Sequence, residues 1–399
     1  MNKRTITEAD LQGKRVLTRV DFNVPLDDRQ EITDDSRIRA ALPTIKTLLE
    51  KGAAIILMSH LGRPKGKVEP TKSLRPVADR LTSLLGRAVA FAPDCVGDEV
   101  RSMVEGMQPG AIVLLENLRF HAEEEGNDPA FAAQLAALGD VYVNDAFGTA
   151  HRAHASTEGV THAMELNLAG LLMEKEIDYL TRAVISPDRP YTAVLGGAKI
   201  SGKIDVITSL LDKVDVLLIG GGMMYTFIKA QGMEIGTSLL EEDKLELARQ
   251  IMELAMQRNK QLLVPVDAVV GKEFRNDTER HTVRATDIPA DMMGLDIGPE
   301  TIALFSRHIK ESKTVVWNGP MGVFEMPNFA RGTIAVANAM VEATDAGAVT
   351  IIGGGDSAAA INQVGLADRV SHVSTGGGAS LEFLEGRTLP GVAALTDRG

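Results

Sequence analysis

Short apolar runs alternate with longer amphipathic segments along nearly the whole chain, and this alternation constrains the fold more than any other feature. Ten runs have the length and composition of β-strands, at positions 15–20, 53–58, 111–115, 141–143, 192–195, 214–219, 262–265, 314–317, 348–352 and 371–374. Helical patterns lie between them, at positions 36–51, 74–86, 129–138, 203–212, 241–258, 300–311 and 329–345. Continuous apolar strands between amphipathic helices are typical of parallel sheets covered on both faces. The pattern predicts an α/β fold with two parallel sheets flanked by helices.

A length of 399 residues exceeds what one hydrophobic core normally organises, so we expect two domains. The segment 171–185 has a helical pattern rich in leucine and charge, and the sequence SPDRP at 186–190 would end it. We interpret 171–190 as a connecting helix and hinge between a first domain at 1–170 and a second domain that begins at 191. One more surface helix is the alternative, but the chemistry of the loops changes on either side of this segment.

The composition argues against several classes of partner. A formal charge of −12 and an aromatic content of 4% disfavour nucleic acid, which requires a basic face or stacking platforms. No apolar run approaches the roughly 20 residues of a membrane span, and the N-terminal residues lack the apolar core of a signal peptide. Cys95 is the only cysteine, so an internal disulfide cannot form. We expect a cytoplasmic protein that binds neither nucleic acid nor membranes.

Three glycine triplets lie in the second half of the chain, at 220–222, 353–355 and 376–378, each after a strand candidate. Glycine lets backbone N–H groups close around phosphate, and ligands of open α/β sheets bind at the carboxyl ends of strands. The triplet at 376–378 precedes a helical segment and is interpreted as a phosphate site, with a tight structural turn as the alternative. Asp356 is either a helix N-cap or a Mg²⁺ ligand, and the neighbouring glycine loops favour the metal.

The segment GGAKISGKI at 196–204 follows another strand candidate and resembles the first part of a phosphate-binding P-loop. Ile204 stands where such a loop needs Ser or Thr to hold magnesium, so a true Walker A loop is disfavoured. Lys199 and Lys203 are four residues apart, and in a helix they would share a face and point at the same phosphates. A solvated lysine pair is the alternative, but glycines at a strand end favour the phosphate interpretation.

The first half of the chain carries arginine and histidine in the corresponding places. Arg37, Arg63, Arg119 and Arg152 lie in separate strand-end loops or at a helix start, accompanied by His60 and His154. Any one of them is explained as a surface arginine, but repeated placement at strand ends indicates convergence on a compact polyanion. Asp21 and Asn23 would supply acceptors for a hydroxyl group. We therefore expect an acidic small molecule in the first domain and a nucleotide in the second.

Two other functional classes are open at this point. A nicotinamide-dependent dehydrogenase uses a similar scaffold, but the G-x-G-x-x-G fingerprint is absent from the chain. A non-catalytic metabolite sensor would not need Arg37, Lys203 and Asp356 together. The chain also lacks an H-R-D catalytic loop and a G-x-S-x-G elbow. A phosphoryl acceptor that is already a carboxylate needs no general base, so positioning and charge neutralisation would suffice for catalysis.

Taken together, these segments resemble the phosphoglycerate kinase family. The segments that carry the resemblance stand in the family's order from about residue 4 to the C-terminus: RVDFNVP, SHLGRP, NDAFGTAHRAHAS, LGGAKISGKI, WNGPMGVFE, GGGDS and STGGGASLEFLEG. The resemblance implies Mg²⁺-dependent transfer of a phosphoryl group between 1,3-bisphosphoglycerate and ADP in glycolysis. It also implies two Rossmann-like domains with a cleft between them, a nucleotide domain at 191–385, a tail at 386–399 that packs on the first domain, and a monomer.

The resemblance also implies roles for individual residues. Those expected to bind phosphoglycerate are Asp21, Phe22, Asn23, Arg37, His60, Leu61, Gly62, Arg63, Arg119 and Arg152. Those expected to bind ATP or ADP are Lys199, Lys203, Gly220, Gly221, Gly294, Asn318, Glu325, Gly354, Gly355, Asp356 and Ser357, with Mg²⁺ on Asp356. Those expected to act on the transferring phosphoryl group are Arg37, Lys203, Gly376, Gly377 and Gly378. A supporting or hinge role is implied for His154.

Overall fold

The structure is a computed structural model that describes residues 2–399. Its β-strands are β1 (Arg15–Val20), β2 (Ala54–Met58), β3 (Ala90–Phe91), β4 (Ile112–Leu114), β5 (Val141–Asp145), β6 (Asn167–Ala169), β7 (Tyr191–Leu195), β8 (Val216–Ile219), β9 (Gln261–Leu263), β10 (Asp267–Gly271), β11 (Arg280–Arg284), β12 (Met293–Ile297), β13 (Thr314–Asn318), β14 (Val349–Gly353) and β15 (His372–Val373).

The α-helices are α1 (Ser36–Glu50), α2 (Arg75–Leu85), α3 (Asp98–Glu105), α4 (Ala122–Glu125), α5 (Pro129–Ala136), α6 (Leu171–Ile185), α7 (Ile204–Leu211), α8 (Met224–Ala230), α9 (Leu245–Gln257), α10 (Pro299–Glu311), α11 (Arg331–Asp345), α12 (Gly355–Gln363), α13 (Gly378–Leu384) and α14 (Pro390–Ala393). Among residues 2–399, none of these helices combines the length and the hydropathy that a membrane crossing requires.

The chain divides into two compact units, and helix α6 contributes to both. The first unit comprises residues 2–178 together with Thr388–Gly399, and the second comprises Tyr179–Arg387. The C-terminal residues are held in the first unit by backbone hydrogen bonds. The Arg4 N–H donates to the Thr396 carbonyl at 2.8 Å, and the Gly391 N–H donates to the Ala150 carbonyl at 2.9 Å.

The first unit is built on a six-stranded sheet in the order β3-β4-β2-β1-β5-β6. All of its strand pairs are parallel, and Val20 at the end of β1 stands opposite Asp145 at the end of β5. The central strands are buried on both faces because helices cover the sheet. Since the strands run in one direction, the loops that follow β1, β2, β4 and β5 emerge at one edge, which places their side chains together.

The second unit contains a parallel sheet in the order β15-β14-β13-β7-β8-β9. Leu195, Asn318 and Gly353 are in register at the carboxyl ends of β7, β13 and β14, so the loops that follow these strands are neighbours. A separate antiparallel sheet, β11-β10-β12, was not predicted from the sequence. The α/β prediction is confirmed, and each of the ten predicted strands coincides with an observed one.

Local sequence explains where several helices begin and end. Asp128 caps α5 by accepting a hydrogen bond from the Phe131 N–H at 2.8 Å, and Pro129 occupies the first helical position, where its missing N–H costs nothing. Helix α2 ends at Gly86, whose φ of 64° is a left-handed conformation that glycine adopts without strain. These signals lie in the sequence, and they set the lengths of the loops that carry the polar side chains.

Candidate functional site

The carboxyl edge of the first sheet carries the arginine-rich loops. Asp21 directly follows β1, and its Oδ2 lies 3.0 Å from Nη1 of Arg37 in the first turn of α1. The Arg37 side chain is 39% exposed while Asp21 is 12% exposed, so the carboxylate orients a guanidinium that still faces solvent. Arg63 and Arg152 are exposed in neighbouring loops. The structure therefore presents an oriented arginine beside accessible ones, as an anion site requires.

Backbone and side-chain hydrogen bonds tie the loop after β1 to the loop after β2. The Phe22 N–H donates to Ser59 Oγ at 2.9 Å, and the Gly62 N–H donates to Asn23 Oδ1 at 2.9 Å. Asn117, in the loop after β4, accepts from the Leu61 N–H at 3.2 Å and donates back to the Leu61 carbonyl at 2.8 Å. Ser59 and Asn117 have no role predicted from the sequence, yet they fix the backbone positions of two predicted residues, Phe22 and Leu61.

Arg119 is buried at the same edge, in a 3-10 turn that follows β4. Its Nη1 donates to the Gly62 carbonyl at 2.9 Å, and its Nε lies 3.3 Å from Oε1 of Glu125. Burial lowers the pKa of Arg119 from its usual value, and Arg19 and Arg152 lower it further. Burial and neighbouring cations both destabilise the charged form of an arginine. An anion that binds at such a position stabilises that charged form.

Two histidines in this region have pKa values that are lowered by burial and by the neighbouring arginines. Burial lowers the pKa of His60 well below its usual value, and Arg19, Arg119 and Arg37 lower it further. Burial also lowers the pKa of His154 to about 4, with Arg119, Arg19 and Arg152 adding to the effect. Both rings are therefore neutral at pH 7, so the positive charge resides on the guanidinium groups.

Two buried residues with no role predicted from the sequence contact the residues of this edge. Arg19, within β1, donates through Nε to Ser156 Oγ at 2.9 Å, and its Nη2 lies 3.1 Å from Nδ1 of His60. Glu124 is completely buried and accepts hydrogen bonds from both the backbone N–H and the hydroxyl of Ser156, at 2.9 and 2.6 Å. The Glu124 carboxylate partly compensates the buried arginines, which reduces the cost of burying them.

Lys203 lies at the corresponding edge of the second sheet, immediately before α7. Its Nζ donates to the side-chain oxygen of Asn318 at the end of β13 and lies 3.4 Å from the main-chain oxygen of the same residue. Burial lowers the pKa of Lys203 to about 8, although Asp356 acts in the opposite direction. The ammonium group is thus held by Asn318 in a partly desolvated position.

The condition under which Lys199 and Lys203 would share a helical face is not met. Residues 198–203 form a loop and turns, and α7 begins only at Ile204. The Glu241 carboxylate accepts hydrogen bonds from the Ile200 and Ser201 N–H groups at 2.6 and 3.2 Å, and this holds the segment out of a helix. Lys199 is exposed on that loop. Glu241 lies more than thirty-five residues away in sequence, so no local signal identifies it.

The glycine loops after β7, β8 and β13 interlock. The Gly197 N–H donates to the Pro320 carbonyl and the Gly221 N–H to the Met321 carbonyl, both at 3.0 Å. Gly221 has a φ of 65°, and a Cβ there would overlap the backbone of Gly197. Gly220 is buried against the Met321 side chain, so it supports the loop from below. Only glycine permits this approach of backbone to backbone.

A cavity of about 510 Å³ opens beside these loops, within the second unit. Gly294 and Glu325, two of the predicted nucleotide contacts, line it together with Tyr225, Leu239 and Phe274. Leu239 and Phe274 are 57% and 63% exposed, unusually high for large apolar side chains. The combination of apolar walls, glycine backbone and a few carboxylates, among them Glu325, suits a flat heterocycle with a hydroxylated sugar.

Asp356 lines the same cavity from the first turn of α12. The N-cap of that helix is Gly354, with a φ of 88°, so the alternative that Asp356 is itself the N-cap is wrong. Gly355 and Asp356 are exposed at the helix start. Ser357 is buried, and its Oγ accepts the Gly319 N–H at 2.5 Å, which fixes the loop after β13. The Asp356 carboxylate is therefore accessible to a cation.

The three glycines of the triplet at 376–378 differ in backbone conformation and in hydrogen bonding. The Gly376 N–H donates to Ser374 Oγ at 3.1 Å, so this amide is engaged within its own turn. Gly377 has a φ of 51° and precedes α13, which begins at Gly378. The amides of Gly377 and Gly378 thus stand at a helix start, while Gly376 shapes the turn. Equivalent roles for all three glycines do not fit this geometry.

Comparisons with known proteins agree with this arrangement of sites. A family model described as phosphoglycerate kinase matches residues 6–387. The phosphoglycerate kinases of Chlorobaculum tepidum and Chlorobium limicola are 60% and 58% identical to the chain over 397 residues, with 100% of both sequences covered.

Solved structures give the same result. The structure of phosphoglycerate kinase from Coxiella burnetii aligns with a TM-score of 0.90 at 41% identity, covering 98% of each chain. The phosphoglycerate kinase of Pyrococcus horikoshii aligns with a TM-score of 0.82 at 32% identity, again covering 98% of each chain. The similarity therefore extends over both units.

Proposed function

The chain belongs to the phosphoglycerate kinase family, and on that premise we propose which of its residues carry out each part of the reaction. The enzyme transfers a phosphoryl group reversibly between 1,3-bisphosphoglycerate and ADP, giving 3-phosphoglycerate and ATP in glycolysis. Because the acceptor in the reverse direction is already a carboxylate, no general base is required. Catalysis then consists of positioning and charge neutralisation.

We place the phosphoglycerate on the first unit. The observation that carries this proposal is the convergence of Arg37, Arg119 and the exposed Arg63 and Arg152 at one edge of the first sheet. Burial first and neighbouring arginines second lower the pKa of His60 and His154, so neither ring adds charge of its own. An acidic ligand would add a second anionic partner to Arg119, which is paired with Glu125, and would engage the exposed Arg63 and Arg152. Its other contacts would be Asp21, Asn23 and the loop of Phe22, Leu61 and Gly62.

We place the nucleotide in the cavity of the second unit. The apolar walls would enclose the base, Gly221 and Gly294 would allow its close approach, and Glu325 would accept hydrogen bonds from ribose hydroxyls. The phosphates would extend toward Lys203 and the start of α12, where Gly354, Gly355 and Asn318 lie. Lys199 would contact the phosphates only after its exposed loop adjusts, while Gly220 and Ser357 hold the loops in shape.

The residues that act on the transferring phosphoryl group are Arg37 and Lys203. Each cation would stabilise negative charge on an oxygen as the group moves between carboxylate and nucleotide. The N–H groups of Gly377 and Gly378 would donate to the equatorial oxygens, with Gly376 fixing their turn. Phosphate oxygens near the Lys203 ammonium would raise its lowered pKa again, so the lysine is protonated when it acts.

The residues present fit a magnesium ion. The Asp356 carboxylate is exposed, lines the nucleotide cavity and lies close enough to Lys203 to influence its pKa. Mg²⁺ typically takes one or two carboxylates together with phosphate oxygens, so one protein carboxylate suffices. When bound, Mg²⁺ would neutralise charge on the nucleotide phosphates. Asp356 would hold the ion, and Lys203 would remain available for the transferring group.

Because the two ligands are assigned to different units, we propose that the units close on each other before transfer. Closure would exclude water and thereby limit hydrolysis of ATP. Helix α6, which contributes to both units, is the proposed hinge element. We also propose that the enzyme acts as a monomer, since each assigned ligand site consists of residues of one chain. We propose the cytoplasm as its location.

A coupled assay with ATP and 3-phosphoglycerate tests these assignments. We expect Arg37→Ala to lower kcat by at least about a hundredfold, because it removes a cation that acts on the transition state, while ADP affinity is unchanged. Arg39→Ala is the matched control, because Arg39 lies on the same helix and pairs with Asp35 at 2.8 Å. A near-normal kcat for Arg37→Ala would remove Arg37 from the catalytic step.

A further inference from the structure

A cluster of metal-ligand side chains lies in the first unit, outside the residues assigned to substrate. Asp94 and Cys95 follow β3, and His121 immediately precedes α4. One carboxylate oxygen, the Cys95 thiol and one ring nitrogen of His121 all lie within 4.8 Å of one another. These are three different donor types brought together from two separate loops, and the phosphoryl transfer reaction uses none of them.

Hydrogen bonds already orient the donors. Asp94 Oδ1 lies 2.7 Å from Nε2 of His121 and accepts the Cys95 N–H at 2.7 Å. The His121 ring packs against Phe131, with ring centroids 5.2 Å apart. The Ala92 N–H donates to the Leu114 carbonyl at 2.9 Å, which anchors the loop that carries Asp94 on the sheet. The three side chains are thus held by the fold and converge on one point.

We propose that Asp94, Cys95 and His121 form a binding site for a divalent transition-metal ion of the zinc class. A thiolate, an imidazole and a carboxylate are the donors that such ions take, whereas Mg²⁺ prefers oxygen alone. Ligand atoms around tetrahedral zinc are separated by about 3.3–3.8 Å, so the Asp94 and His121 atoms, now 2.7 Å apart, separate slightly while the Cys95 sulfur is already within 4.8 Å of both. The ion replaces the hydrogen bond between Asp94 and His121. When Nε2 coordinates, the proton that it carried in that bond is lost to solvent and the neutral ring carries its one proton on Nδ1.

The three side chains fill three of the four tetrahedral positions around the ion. Water can take the fourth because the cluster is partly exposed to solvent. Cys95 is completely buried, while His121 and Asp94 are 28% and 45% exposed, so an ion can enter from the solvent side. Burial raises the pKa of the Cys95 thiol well above its usual value, and the thiol is protonated without a cation. On binding, the sulfur–metal bond forms and the thiol proton passes to solvent, because a coordinated thiol is deprotonated.

The site cross-links the loop after β3 to the segment that carries Arg119. His121 lies two residues beyond Arg119, and its backbone N–H donates to the Leu118 carbonyl at 3.2 Å. A bound ion therefore restrains this segment at His121, in addition to the hydrogen bond from Arg119 to the Gly62 carbonyl. The unfolded chain has no assembled site, so the ion binds the folded chain in preference. Binding therefore raises the midpoint of thermal unfolding.

Cobalt titration of the full-length chain tests the proposal, with nucleotide and Mg²⁺ omitted and a reductant that contains no thiol. Because Cys95 is the only cysteine, a thiolate-to-cobalt charge-transfer band reports this site alone. We expect the band to saturate at one ion per chain and to be displaced by Zn²⁺. Cobalt on Asp356 produces no such band, since that site has no sulfur.

Two variants and a matched control complete the experiment. Cys95→Ser abolishes the band, and His121→Gln weakens cobalt affinity at least about tenfold, since even outer-shell changes cost that much. His162→Gln is the control, because His162 forms an exposed pair with Glu158 at 2.5 Å without a cysteine. If buried Cys95→Ser does not fold, half-exposed His121→Gln carries the test. Absence of the band in the folded wild type, or unchanged affinity in His121→Gln, overturns the proposal.

Discussion

Lys203 offers a prediction in which stability and activity move in opposite directions. Burial lowers its pKa from 10.5 to about 8, and at about 1.4 kcal/mol for each pKa unit the charged ammonium destabilises the free enzyme by about 3 kcal/mol. The Lys203→Gln variant removes the charge and keeps an N–H donor for Asn318. We therefore expect a second unit that is up to about 3 kcal/mol more stable at pH 7, and a kcat at least about a hundredfold lower.

The pH dependence follows from the direction of the pKa change. Between about pH 8 and pH 10.5 the unfolded lysine holds its proton while the folded lysine has lost it. Stability rises with pH wherever the unfolded state binds more protons, so the wild type gains stability across this window. Above it, the lysine is neutral in both states. The advantage of Lys203→Gln should accordingly be complete below pH 8 and disappear by about pH 10.5.

The chain supplies its own probe for this measurement. Trp317 is the only tryptophan and is completely buried in β13, next to Asn318, so its fluorescence reports unfolding of the second unit. Urea transitions of both proteins at pH 7 and at pH 10 give the two stability differences. A Lys203→Gln variant that is no more stable at pH 7, or whose advantage is the same at pH 10, would refute the reasoning.

Two further predictions concern the nucleotide cavity and the proposed closure. A Cβ at Gly294 would overlap the Tyr225 hydroxyl, so Gly294→Ala should narrow the cavity and weaken ADP binding in calorimetry while 3-phosphoglycerate binding is retained; unchanged ADP affinity would remove Gly294 from the cavity wall. Solution scattering should give the mass of one chain throughout and a smaller radius of gyration with both ligands than with either alone, and an unchanged radius would argue against closure.

The sequence predicted the parallel sheets well because their strands carry a strong local signal. A run such as 214–219 is apolar throughout, since helices cover both faces of its sheet, and turn residues bound it. Strand β11 lacks that signal. In β11, four of the five residues are exposed, and the sequence RHTVR is as typical of a loop as of a strand. Strands β3 and β6, of two and three residues, were not predicted either.

The arginine and glycine loops were predictable for a related reason. Each directly follows a strand, and its residue composition is unusual for a turn. The residues that support them were not. Arg19 lies inside a strand and Glu124 inside a short helix, where a charged residue ordinarily indicates a solvent-facing position. Glu241 acts on residues about forty positions earlier in the chain. Such partners are set by tertiary packing, which sequence periodicity does not encode.

The central claim is that phosphoglycerate binds the arginine loops of the first unit and the nucleotide binds the cavity of the second. Separate calorimetric titrations of Arg63→Gln and Asp356→Ala with 3-phosphoglycerate and with Mg·ADP test it most directly. Arg63→Gln should weaken 3-phosphoglycerate binding about tenfold, the cost of one charge-assisted hydrogen bond, and leave Mg·ADP binding unchanged. Asp356→Ala should do the reverse. Loss of Mg·ADP affinity in Arg63→Gln, with 3-phosphoglycerate bound as in the wild type, would contradict the account.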